Sequence, residues 1–299
     1  MELPDFFIEK LKEQYEQKDV DRIIEGLKKK RKVTLRVNTI NSDIDNVKQE
    51  LNKSNIHFED VKWSKEALVI NAQEKDIEKL DIYKNGEVYL QSLSSMLPPI
   101  IMDPKENEDI LDMAAAPGGK TTQIAALTDN KAHITACEMN KIRAEKLKYN
   151  IKKQGATSVY VMETDSRRLN NYFSFDRILL DSPCSGSGTL SIQDKRIKEI
   201  FTEKLIKKCQ KTQLELLTKA IKVLKPGKEM VYSTCSILKD ENEDIVEKAL
   251  QKYNCKIVPI NFEGLNKIPL LPSKILGTIT ICTNEFYEGF FIAKILKKG

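Results

Sequence analysis

Two cysteines in this sequence have neighbours that equip a thiol for covalent chemistry. One stands in Asp181-Ser182-Pro183-Cys184-Ser185-Gly186-Ser187-Gly188, the other in Tyr232-Ser233-Thr234-Cys235-Ser236. Each follows a short apolar, strand-like run (Arg177 to Leu180, Glu229 to Val231) and precedes turn-forming residues. Thiols at the ends of two strands of one sheet would face a common crevice, which is where open α/β sheets bind ligands. A thiolate there can make and later break a bond to an electrophilic carbon, so thiol chemistry on a bound substrate is the first expectation.

A third segment, Asp112-Met113-Ala114-Ala115-Ala116-Pro117-Gly118-Gly119-Lys120-Thr121-Thr122, runs from a strand into a helix. Its small residues and paired glycines let backbone approach a ligand, and the helix N-terminus offers free amide donors. It is not a Walker A loop, because that motif separates its two glycines. About twenty residues after Gly119 comes Glu138, at the spacing where an acid binds ribose hydroxyls. The next strands run into Asp165 and Asp181. With Asp112, this makes four acids at successive strand ends and no phosphate-binding loop. The set favours a nucleoside ligand without phosphates, and S-adenosylmethionine fits; any one of these acids alone could equally be a strand-end cap.

These residues need a scaffold. From Asp109 onward, strands at 110–114, 133–138, 159–164, 177–181 and 228–233 alternate with helical patterns at 120–127, 141–154, 203–223 and 241–252. Further strands are expected at 255–260, 279–283 and 290–296. This alternation predicts an α/β fold with a doubly wound, largely parallel Rossmann-like sheet. The first ninety residues read differently. A broken amphipathic pattern, read as two helices meeting near Asp19, spans Pro4 to Lys30, then Val33 to Thr39 alternates strictly, Ser42 or Asp43 can cap a helix through Leu51, and short strands are expected at 57–61, 67–71 and 87–91. The expected division is a helical plus α+β unit over 1–90 and a catalytic domain over 91–299.

Composition narrows the class. At 299 residues, 40% hydrophobic and 31% charged, the chain can bury a large core. With six cysteines in no CxxC pairing and only two histidines, His57 and His133, no metal site is expected. No run approaches the roughly 18 apolar residues of a membrane span, and no signal sequence opens the chain. A cytoplasmic monomer with reduced thiols is expected. The net charge of +5 is concentrated after Leu90 and in two clusters. These are Lys28-Lys29-Lys30-Arg31-Lys32, with Arg36 close behind, and Lys195, Arg196, Lys198, Lys204, Lys207, Lys208 and Lys211. Each is a candidate phosphate contact, and each is also what a solvated face looks like.

The motifs taken together resemble the RsmB/Sun (NSUN) family of RNA cytosine-5 methyltransferases. The resemblance rests on Ala114-Ala-Ala-Pro-Gly-Gly-Lys-Thr121, Asp181-Ser-Pro-Cys-Ser-Gly-Ser-Gly188 and Tyr232-Ser-Thr-Cys-Ser236. Arg36-Val-Asn-Thr39, Gln91-Ser-Leu-Ser-Ser95 and Gly289-Phe-Phe-Ile-Ala-Lys294 extend it over nearly the whole chain, in order. Ala114 stands where the family often has cysteine and Ser182 where it usually has alanine.

The resemblance implies methyl transfer from S-adenosylmethionine to carbon 5 of cytosine in RNA, ribosomal or transfer. It implies that Cys235 is the attacking thiol, that Cys184 assists elimination, and that Asp181 holds the extruded base. Lys120 would lower a thiol's pKa or steady the adduct. Ala114, Ala115, Ala116, Pro117, Gly118, Gly119, Lys120, Glu138, Arg143, Asp165 and Asp181 would bind the cofactor, Asp165 near the adenine; for Arg143 a helix-surface role is the alternative. The N-terminal unit would bind RNA, with Lys28 to Arg36 on phosphates. Two rivals remain: a DNA-type enzyme in which Cys184 is the nucleophile, and a non-catalytic RNA-binding factor on the same fold.

Overall fold

The computed structural model describes residues 3–192 and 196–299. Two sheets are present among them. The smaller comprises β1 (Val33–Val37), β2 (Phe58–Asp60), β3 (Ala67–Ile70) and β4 (Val88–Leu90), all antiparallel in the order β2-β3-β1-β4. Leu35 and Val37 on one face of β1 pack with Leu68 and Ile70 against Val47 and Leu51 of helix α3 (Ile44–Lys53). Of the two candidate caps for that helix, Asp43 is the one used, accepting from the Asn46 amide at 2.9 Å. Short helices α4 (Glu74–Glu78) and α5 (Asp81–Lys84) close the unit.

The alternation in β1 predicts a polar face turned to water, and here the structure differs. Thr34 and Arg36 are buried because that face lies against Gln91 and the segment around Thr122. Arg36 donates to Gln91 Oε1 at 3.0 Å and to Thr122 Oγ1 at 3.1 Å, and burial pushes its pKa down to about 10. It therefore serves the interface between the two sheets and is withdrawn from the phosphate role expected of it.

The larger sheet has nine strands among the described residues. Five are parallel, in the order β7 (Val159–Met162), β6 (His133–Cys137), β5 (Asp109–Asp112), β8 (Phe175–Asp181), β9 (Leu224–Thr234). The chain then adds β13 (Phe290–Lys297) antiparallel to β9, with β12 (Ile279–Ile281) and β11 (Leu270–Leu271) beyond it and β10 (Cys255–Ile257) also on β13. The expected parallel half is present; the antiparallel end was not distinguishable from apolar runs alone. Helices α7 (Gly119–Leu127), α8 (Lys141–Lys153), α10 (Glu203–Val223) and α11 (Glu243–Lys252) cover the faces, and a single turn, α9 (Ile197–Ile200), precedes α10.

Helix α6 (Leu93–Met102) contains Pro98 and Pro99. Each proline removes an amide donor from the helix interior and strains the preceding turn, so sequence reasoning passes over this segment. Its burial offsets that cost, since Leu93, Met96, Leu97, Ile101 and Met102 all enter the main core.

The N-terminal pattern does break into two helices, α1 (Asp5–Gln14) and α2 (Gln17–Lys28), but at Tyr15 and Glu16 and not at Asp19, which lies in the first turn of α2. Their apolar faces (Phe7, Leu11, Val20, Ile23, Leu27) pack against Phe201, Ile206, Ile237, Leu271 and Cys282, all from the second half of the chain. Gln14 Nε2 and Tyr15 OH both donate to the Ile237 carbonyl, at 3.1 and 2.8 Å. Gln14 Oε1 accepts from the Lys239 amide at 2.8 Å. The hairpin thus grips the segment that follows Cys235.

Candidate active site

Strands β8 and β9 lie side by side with Asp181 opposite Ser233, so the loops that leave them begin together. This adjacency places the Cys184 and Cys235 Sγ atoms 2.9 Å apart. The loops are also cross-bonded through backbone: the Gly188 amide donates to the Cys235 carbonyl at 3.0 Å, and the Gly289 amide to the Gly188 carbonyl at 2.9 Å. Only glycine fits at 188, since a Cβ there would lie 2.0 Å from the Gly289 carbonyl oxygen. The Cys184 thiol is raised well above its ordinary pKa by its hydrogen bond to Cys235, by burial and by the nearby Glu241 carboxylate. At rest it is a neutral thiol.

Asp181, at the end of β8, accepts from Lys120 Nζ at 2.7 Å on one oxygen and from Ser233 Oγ at 2.7 Å on the other. Lys120 also donates to Ser95 Oγ at 2.7 Å. Burial opposes the charge on Lys120, but the Asp181 carboxylate outweighs it and holds the lysine pKa above its usual value, with Asp112 and Cys235 contributing. Lys120 is thus a fixed cation paired with Asp181.

The Ala114–Gly119 loop joins β5 to α7. Asp112 anchors it by accepting from Thr121 Oγ1 at 2.7 Å, and burial raises the Asp112 pKa to about 6. Gly118 caps the helix at φ +109, where a side chain would be strained and would meet Leu147. Clefts open on both sides of the loop. One of about 250 Å³ is bounded by Tyr89, Ala115, Pro117, Lys120, Asp181 and Glu288. The other, about 70 Å³, is bounded by Glu138, Met139, Arg143, Asp165 and Pro183, and Ala114 lines both.

The structure brings Glu138, Arg143 and the loop together. Glu138 directly follows β6 with its side chain 4% exposed, and Arg143 Nη1 stands 3.5 Å from its carboxylate. Arg143 Nη2 donates to the Ala116 carbonyl at 2.8 Å, so this arginine braces loop and acid together instead of standing free on the helix surface. Asp165 lies in the same cleft, clasped by Arg167 through Nε at 3.0 Å and Nη2 at 2.6 Å. Those bonds hold its pKa below the usual carboxylate value.

Of the basic clusters, Lys28, Lys29, Lys30 and Lys32 are exposed, while Arg31 donates to the Gly188 carbonyl at 3.2 Å. Lys204, Lys207, Lys208 and Lys211 form an exposed stripe on α10 at helical spacing. Lys195 lies outside the described residues. Sequence reasoning missed Tyr89, Glu288, Arg167, Gln213 and Glu241. None carries a local signature; each becomes visible only when the sheet brings distant segments together.

The strand order, the glycine loop and the acids at the strand ends are those of a Rossmann-like methyltransferase. Residues 99–296 match the model for the 16S rRNA methyltransferase RsmB/F family, and residues 3–77 match the RsmF/B-like ferredoxin-like domain. The chain belongs to the RsmB/F methyltransferase family. It is 36% identical, over 98% of its length and 38% of the relative's, to the 28S rRNA (cytosine-C(5))-methyltransferase of Mus musculus. It is 34% identical, over 88% of both chains, to the tRNA (cytosine(49)-C(5))-methyltransferase of Pyrococcus abyssi. A methyltransferase homologue from Pyrococcus horikoshii superposes with a TM-score of 0.81 at 33% identity, covering 99% of this chain and all of that one (100%). The first curated relatives are much longer proteins, of which the chain spans 38% to 64%.

Proposed function

We propose that this protein methylates carbon 5 of cytosine in RNA, with Cys235 as the attacking thiol. The observation that carries the reading is the pair of thiols at adjacent strand ends beside the Lys120–Asp181 ion pair. Carbon 5 of cytosine is a weak nucleophile. Addition of the Cys235 thiolate to carbon 6 shifts the ring π electrons onto carbon 5, which can then take an electrophilic methyl group. Loss of the carbon 5 proton and cleavage of the carbon 6–sulfur bond restore the ring, dividing one hard step into easier ones. Asp181, fixed by Lys120 and Ser233, is placed to accept from the exocyclic amine of an extruded base. Cys184, protonated at rest and touching Cys235, is placed to assist release. The reading is tested by incubating the protein with radiolabelled S-adenosylmethionine and RNA and mapping 5-methylcytosine by bisulfite sequencing.

S-adenosylmethionine would supply the methyl group from a cationic sulfonium. The clefts suit it: their acids, Asp112, Glu138, Asp165, Asp181 and Glu288, outnumber the cations Lys120, Arg143 and Arg167, which favours a cation over a phosphate. Glu138 and Asp165 would hold the ribose and adenine, and Ala114 to Lys120 the remainder. Replacing Glu138 by Ala should weaken the cofactor by about 1.5 to 3 kcal/mol, the worth of hydrogen bonds to a charged group. Titration calorimetry measures this, and unchanged affinity would remove Glu138 from the site.

RNA, ribosomal or transfer, is the proposed substrate, with the exposed lysines at 28–32 and the α10 stripe as phosphate contacts that position the strand without reading its sequence. Neutralising Lys28, Lys29, Lys30 and Lys32, while leaving Arg31 on its carbonyl, should weaken binding and flatten the slope of log affinity against log salt by about 0.7 to 0.9 per lost contact. An unchanged slope would mark the run as a solvated face. Among the described residues no helix is long and apolar enough to cross a membrane. We place the protein in the cytoplasm, where its two reactive cysteines would stay reduced.

A further inference from the structure

A buried carboxylate lies beneath both thiol loops and has no part in the chemistry above. Glu241 is 0% exposed and ends the 3-10 turn Lys239–Glu241 that follows the Cys235 loop. Its Oε1 accepts from the Ser185 amide at 2.8 Å and from Gln213 Nε2 at 3.3 Å, and its Oε2 accepts from the Ser185 hydroxyl. The same Gln213 amide donates to the Pro183 carbonyl at 3.0 Å. The residues on either side of Cys184 are therefore both held by this carboxylate and amide. Cys235 is held in the same manner by the next residue: Asn242 accepts from Thr234 Oγ1 and donates to the Ser236 carbonyl at 2.9 Å. One peptide unit, Glu241–Asn242, thus registers both thiols.

A neutral glutamine could make most of these bonds. A carboxylate costs several kcal/mol more to bury, and burial does push the Glu241 pKa above the usual range, although its serine and Gln213 bonds oppose the rise. What the site supplies is acceptors enough for the Ser185 amide, the Ser185 hydroxyl and Gln213 at once, so its use is the hold on the Cys184 loop.

We propose that Glu241 is a positioning residue for the release half of the reaction, holding Cys184 against Cys235 so that Cys184 can assist elimination once carbon 5 carries its methyl group. The proposal rests on the covalent reading given above. Its test uses the full chain with an RNA substrate, comparing Glu241→Ala, Glu241→Gln and Ser185→Ala.

In Glu241→Ala, first-turnover methyl transfer should stay near wild type, while turnover falls by about 10²-fold, the scale of assisted proton transfer, and an RNA adduct resistant to denaturing gels accumulates. Glu241→Gln should release product normally, because its amide oxygen still accepts from Ser185. Its Cys184 should, however, be alkylated by iodoacetamide at lower pH, since the charge that helps keep that thiol protonated is gone. The other titratable groups that feel the carboxylate are Cys209 and Tyr232, and both are unchanged in the variant. A merely structural carboxylate would move the melting temperature and leave turnover and adduct level unchanged. Should Glu241→Ala fail to fold, Ser185→Ala must show the adduct. A folded Glu241→Ala with wild-type turnover and no adduct overturns the proposal. A wild-type protein that forms neither 5-methylcytosine nor an adduct overturns the covalent reading instead.

Discussion

Cys235→Ala protein should form neither 5-methylcytosine nor any covalent RNA complex, whereas Cys184→Ala protein should form the complex and fail to let it go. The two side chains stand on adjacent loops and touch, so an effect on folding or on cofactor binding would strike both alike; only their places in the reaction separate them. Without Cys235 carbon 5 is never activated, and methyl transfer should fall by at least about 10⁴-fold, the scale of losing a covalent nucleophile. Without Cys184 addition and transfer proceed, and elimination slows by about 10²- to 10⁴-fold, as when a proton-transfer group is removed. A denaturing gel of each variant with labelled RNA reads the difference directly. The DNA-type assignment requires the reverse pattern, and a cross-linked peptide containing Cys184 in the wild-type enzyme would establish it.

Removing the Asp181 carboxylate should cut methylation by about 10²- to 10³-fold, the range for deleting one preorganised polar contact at a reacting centre. Two effects converge. The target base loses the acceptor for its amine, and Lys120, only 13% exposed, keeps a charge with no counter-ion. The second effect should lower stability by about 2 kcal/mol, visible in thermal melting. Asp181→Asn separates the two effects from shape. The Ser233 hydroxyl can turn to accept from the new amide, so both hydrogen bonds survive while the charge is lost. This variant should lie between wild type and Asp181→Ala in activity. Equal activity in all three proteins would remove Asp181 from the site.

The candidate site was more legible in the sequence than its supports were. The Pro-Cys and Thr-Cys segments and the glycine loop are local, because each thiol, acid or turn is set by its own few residues, and strand-end placement follows from alternation. What escaped was whatever depends on a partner far along the chain. Arg36 reads as one more base in a basic stretch until β4 and α7 close over it. Pro98 and Pro99 argue against a helix until burial is counted. Arg143 looks like surface because the Ala116 carbonyl it holds comes from the loop after β5, and Glu241 looks like ordinary helix-start acidity until the Cys184 loop settles on it. The packing of α1 and α2 on the far half of the chain is likewise invisible to periodicity, which shows that a face is apolar and not what it meets.

That packing bears on how the protein is made. Gln14 and the Ile237 carbonyl it holds are 223 positions apart, and ribosomes add about 5 to 20 residues per second. The first helical hairpin therefore waits roughly 10 to 45 s with Phe7, Leu11 and Ile23 uncovered before its docking surface exists. During that interval the nascent chain carries a sticky helical hairpin, a natural client for a holding chaperone. The loop bearing Cys235 gains its support only when a segment made early returns to meet one made 223 positions later.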